Sequence, residues 1–157
     1  TPGHLAHAGG VADLLKQQTV PVWGPHADDG YLLESLPQTT ASYASYGFPI
    51  AEAFVPDGWL SEGGKLKVGA YEFDVLHIPG HTPGHVVFYC AAEKLLIAGD
   101  VLFYESIGRT DFPRGNHADL ISNITGKLLV LPEDTRVIPG HGRMTTIGHE
   151  KRHNPFL

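Results

Sequence analysis

Four polar landmarks carry the chemistry of this sequence: His4 and His7 in TPGHLAH, His81 and His85 in PGHTPGH, Asp100 in IAGD, and His141 in PGHG. All but the first follow an apolar run that reads as a strand. Side chains at strand ends can converge on one point from distant parts of a chain. Several imidazoles with one carboxylate form a donor set suited to a borderline-soft divalent metal. Gly and Pro beside each His allow tight turns that hold the imidazole at a loop tip. Each landmark alone has an ordinary explanation. A His beside Gly is usually a surface loop residue, His4 and His7 fit a helix start, and Asp100 fits an N-cap. The ordered set is harder to dismiss, in a chain with 10 His, the commonest metal ligand.

The elements that must position these residues follow from periodicity. Residues 8–19 read as a helix, with Val11, Leu14 and Leu15 on one face. Residues 20–23 read as a short strand, 25–36 as a region holding a short helix, and 37–54 as a loop or weak helix. Period two begins after Leu60. Residues 65–68 and 71–78 are expected strands joined by Gly69-Ala70, a hairpin signal. Residues 85–91 and 95–98 form a second pair. Residues 117–131 carry an apolar helical stripe of Leu120, Ile124 and Leu128. A short strand at 136–138 and a closing helix at 146–153 complete a mixed α/β layout, with no linker dividing residues 1–157 into two domains.

Composition narrows the function classes. The 157 residues carry a formal net charge of −6 and scattered Lys and Arg, which argues against a nucleic-acid surface. No apolar run approaches the ~20 residues that span a bilayer, and no signal-peptide pattern is present. The single cysteine, Cys90, admits no internal disulfide and fits a reducing, cytoplasmic setting.

The chain resembles the metallo-β-lactamase superfamily, and within it the glyoxalase II (hydroxyacylglutathione hydrolase) branch, in the small bacterial form without a C-terminal helical domain. PGHTPGH, GD, IGRTDFPRGNH, PGHG and the terminal HNPFL carry the likeness over nearly the whole chain. The resemblance implies an αββα sandwich with a two-metal site at one edge. It implies zinc, with iron or manganese as alternatives, and a bridging Asp100 that helps hold the metal-bound hydroxide attacking a thioester such as S-lactoylglutathione. It also implies strands before residue 1, so that the domain is N-terminally incomplete.

Two positions depart from the family motif T-H-x-H-x-D-H. Pro2 stands where the first His belongs and Ala6 where the Asp belongs; neither side chain can ligate. What remains is His4, His81 and Asp100 for one metal, and His7, His141 and Asp100 for the other. Two alternatives to the zinc hydrolase therefore stand: a degenerate, metal-poor and non-catalytic domain, and an iron persulfide dioxygenase of the same superfamily. PGHG favours the hydrolase over the dioxygenase.

Arg109 falls where the family holds the glycine carboxylate of glutathione; a structural ion pair with Asp111 is the equal alternative. Asp111 replaces the Tyr of classical glyoxalase II. His85 reads as a residue that positions the ligands rather than a ligand. His77 is expected packed or hydrogen-bonded, and His26, His117, His149 and His153 on the surface or on helices. Cys90 is expected buried and inert, and Tyr43, Tyr46 and Phe48 in core or loop packing rather than in a pocket.

Overall fold

The computed structural model describes residues Thr1 to Leu157. The first helical stretch forms in two pieces, α1 (Leu5–Ala8) and α2 (Val11–Gln17). They break at Gly9-Gly10, where glycine gains nothing from the helix and loses the most backbone freedom. The expected strand at 20–23 does not form. Only an isolated bridge pairs Trp23 with Gly58, because Pro21 and Pro25 withhold the amide donors a ladder needs. The region expected to hold a short helix contains α3 (Gly30–Glu34), and the region read as loop or weak helix contains α4 (Leu36–Ala41).

Eight strands follow: β1 (Lys65–Val68), β2 (Tyr71–His77), β3 (Val86–Cys90), β4 (Leu95–Gly99), β5 (Leu102–Phe103), β6 (Ser106–Ile107), β7 (Arg136–Pro139) and β8 (Thr145–Thr146). They make a six-stranded sheet in the order β1-β2-β3-β4-β7-β8 and a two-stranded β5-β6 ribbon. Neighbours run antiparallel except β4 and β7, which are parallel. The hairpin at Gly69 turns with φ +61°, a left-handed value glycine adopts without Cβ strain.

Alternation along the strands gives the sheet two unlike faces. Leu76, Val87, Leu96 and Val137 face α5 (His117–Asn123) and the π-helical turn Ile124–Leu128 that continues it. Leu120, Ile124 and Leu128 are fully buried there, with Ile147 from α6 (Ile147–His153). The expected helical stripe is thus the main core contact, and truncating one such Leu to Ala costs about 2–5 kcal/mol. On the opposite face, Val75 and Val86 pack beneath Leu60, while Leu66, Val68, Phe73, Phe88 and Ile97 line an open apolar cleft of 250 Å³. The architecture is mixed α/β, as the sequence predicts; of a two-sheet sandwich, these residues build one large sheet and the small ribbon. Cys90 is buried, and no helix is long and apolar enough to cross a membrane.

Candidate metal centre

Parallel pairing of β4 and β7 sets Gly99 opposite Pro139, and the Gly140 N–H donates to the Gly99 carbonyl at 2.7 Å. The next residues along the two strands, Asp100 and His141, therefore leave the sheet side by side. The loop after β2 brings His81 to the same edge. At its base Gly80 lies against α5 with φ +137°, and a Cβ there would come within 2.6 Å of the Leu120 nitrogen. His4 and His7 arrive on the first turn of α1. His4 is the N-cap residue, but its side chain makes no cap bond; the imidazole turns inward instead.

The Nε2 atoms of His4, His7 and His81 lie 3.2, 3.1 and 3.6 Å from Asp100 Oδ2. His141 Nε2 lies 3.5 Å from Asp100 Oδ1. Two sets of donor atoms close enough to hold an ion result, His4-His81-Asp100 and His7-His141-Asp100. These are the sets left after Pro2 and Ala6 are discounted. Pro2 is buried and Ala6 exposed, and neither supplies a donor atom.

The donors fit a divalent ion. His81 Nδ1 donates to the Arg109 carbonyl at 2.8 Å, which leaves a lone pair on Nε2, the arrangement typical of a metal-binding His. Burial lowers the His81 pKa, further favouring the neutral ring. His4 and His81 hold their Nε2 atoms 3.1 Å apart, a contact a shared cation would relieve. Asp100 Oδ1 is buried without any hydrogen-bond partner, a costly state for a carboxylate oxygen unless an ion satisfies it. Burial alone would raise the Asp100 carboxyl, but hydrogen bonds with His4 and His7 outweigh it. The group stays well below the usual carboxylate range and is an anion.

Three further residues fix this arrangement. His85 is fully buried, and burial drives its pKa well down; its Nε2 accepts the Asp100 backbone N–H at 2.9 Å. It lies outside both donor sets and orients the residue they share. Asp29, also fully buried, accepts from Gly3 N–H at 2.9 Å, Thr82 Oγ1 at 2.7 Å and Gly84 N–H at 2.6 Å. It ties the first His motif to the second. Sequence reasoning missed it, since the run ADDG holds two adjacent Asp and nothing marks which one turns inward. Gly140 was also missed as a site residue: a Cβ there would overlap Asp100 Oδ1.

A cleft of 320 Å³ opens over the cluster, lined by His4, His81, Asp100, His141, Ser106 and Arg109 among others. Arg109 pairs bidentately with Asp111 at 2.6 and 2.7 Å, and its guanidinium carbon lies 4.3 Å from the centre of the Phe112 ring. Arg114 lies over the Tyr31 ring. His77 donates to the Pro83 carbonyl at 2.8 Å and stacks on His26. Tyr43 and Phe48 are not in the core: both are exposed and line a second cavity, because no buried element reaches their loop.

The Metallo-beta-lactamase superfamily profile matches residues 2–141. The chain belongs to the metallo-β-lactamase superfamily. That fold implies divalent-metal binding. The chain is 48% identical over 158 aligned residues to hydroxyacylglutathione hydrolase GloC of Haemophilus influenzae, covering 100% of this chain and 73% of that protein. Two solved structures superpose with a TM-score of 0.86. One is the B3 metallo-β-lactamase BLEG-1, 42% identical and covering 99% of this chain and 73% of its own. The other is TTHA1623 in a di-iron-bound form, 39% identical and covering 100% and 75%. Within the superfamily, then, this chain keeps a shared carboxylate between two imidazole sets while lacking donors at Pro2 and Ala6.

Proposed function

We propose that this metallo-hydrolase fold cleaves thioesters of the hydroxyacylglutathione type, such as S-lactoylglutathione, with zinc in its two donor sets. The observation that carries the reading is the buried Asp100 carboxylate, shared by His4-His81 and His7-His141 at the floor of an open cleft. The name of the Haemophilus relative supports the choice of substrate class. A pair of divalent ions there would polarise the thioester carbonyl and lower the pKa of water.

The chain's own residues do the rest. Water adds across the acyl C–S bond, its hydroxyl to carbon and a proton to sulfur. Asp100, oriented by His85, holds the two donor sets in register. Phe103, Phe112 and Ile107 wall the cleft and offer the substrate apolar surface. Arg109 takes a carboxylate of the anionic thiol, exchanging it for exposed Asp111, a pair weak enough to open in water. No nucleic acid or membrane takes part, and buried, unpaired Cys90 suits a cytoplasmic setting. Iron is the alternative metal, supported by the di-iron form of a close structural neighbour.

Pro2 and Ala6 support a second reading, a degenerate domain that binds little metal. Metal analysis and thioester assay separate the two. Two ions per chain with loss of S-lactoylglutathione absorbance support the hydrolase. A fully metal-loaded chain that leaves the thioester intact overturns it.

A further inference from the structure

Two cavities meet at His4 and Phe112. One is the polar cleft over Asp100, with Arg109 on its wall. The other, of 410 Å³, is lined by Leu5, Ala6, Thr39, Tyr43 and Phe48 besides His4 and Phe112. The Phe112 ring stands between them, 5.3 Å from the His81 ring and 6.3 Å from the His4 ring. Beyond His4, the second cavity offers no ionisable group except the Tyr43 hydroxyl. Tyr43 and Phe48 meet edge to face, with ring centres 6.2 Å apart, a geometry aromatic pairs prefer and one that leaves faces open to a third ring. Gly47, at φ +84°, turns the chain so that Phe48 returns toward Tyr43. Ala6 adds only a methyl to the wall.

A thioester whose carbonyl sits over Asp100 has two substituents to place. The charged thiol portion suits the side bearing Arg109. The acyl portion then meets the aromatic side. We propose that the Tyr43-Phe48 cavity is the acyl-group subsite and that, among hydroxyacyl groups, it favours one bearing an aryl or branched alkyl side chain over the small lactoyl group. This rests on the thioester reading above. The size of the cavity and its near-absence of charge carry the choice of chemistry, since burial of apolar surface is the main attraction such a wall can offer.

The test uses two thioethers that cannot be hydrolysed, S-benzylglutathione and S-methylglutathione, titrated calorimetrically into the purified protein. The expected result is benzyl binding at least about 10-fold tighter than methyl, the scale set by burying one ring. Phe48→Ala and Tyr43→Ala should remove most of that preference while leaving S-methylglutathione affinity unchanged; both side chains are exposed, so the fold is not at stake. Equal affinities in the unaltered protein overturn the subsite and leave the glutathione reading standing. If neither ligand binds at millimolar concentration, the glutathione reading falls and the subsite with it. A benzyl preference that survives both substitutions also overturns the assignment.

Discussion

The carboxylate of Asp29 accepts the backbone N–H of Gly84 at 2.6 Å. Through its other oxygen it also holds Gly3 and Thr82. One side chain thus fixes the separation between the loop carrying His81 and the segment carrying His4.

Replacing Asp29 with Ala leaves the Gly3 and Gly84 amides without acceptors in a buried place. Each such group costs about 1–3 kcal/mol, so urea unfolding should show a loss of roughly 3 kcal/mol or more. Metal affinity should fall in the same variant. Unchanged stability would remove Asp29 from the account of how the site is held.

Asp100→Asn tests whether the two donor sets depend on one group. Because both include Asp100, metal content measured by mass spectrometry should fall for both ions together. Loss of one ion with the other retained would show that the sets are independent.

Gly140→Ala is a finer probe of the same carboxylate. A Cβ there overlaps Asp100 Oδ1, yet residue 140 has no positive φ and is exposed. Weakened metal binding with a melting temperature of the metal-free protein close to the parent is expected. Full metal affinity in this variant would mean that Oδ1 does not face the ions.

Ala6→Asp, combined with Pro2→His, should tighten metal binding by about 10-fold or more, the scale on which even outer partners of a metal site act. Ala6 sits at an exposed position beside an open cavity, so a carboxylate has room. Competition with a chelator reads the change directly; no gain would indicate that these positions do not face the ions.

Asp111→Asn should free Arg109 from its ion pair and tighten binding of the anionic S-methylglutathione, with the gain shrinking as salt is raised. No change on substitution would detach Arg109 from substrate recognition.

Much of this was legible in the sequence because periodicity and turn chemistry are local. The alternation along residues 71–78 and the stripe of Leu120, Ile124 and Leu128 map directly onto β2 and the helix that covers the sheet. The five candidate donors stand out because Gly and Pro bracket most of them. What was not legible depends on tertiary contact. Residues 20–23 have strand-like side chains but pair only at the Trp23–Gly58 bridge, because Pro21 within the segment and Pro25 just after it withhold amide donors. Tyr43 and Phe48 have the composition of a core, and only the absence of anything packed over their loop reveals a cavity. Asp29 differs from Asp28 only in the direction the chain takes around them.

The parallel pairing of β4 with β7 has a consequence for how this protein can diversify. Asp100 and His141 are held by adjacent strand ends, so the excursion between them bears none of the burden of their alignment. Within that excursion the exposed side chains of Arg109, Asp111 and Phe112 can change character without moving the reactive edge, while the Arg109 carbonyl and Leu120 keep their hold on His81 and Gly80. Selectivity is free to drift while chemistry stays fixed.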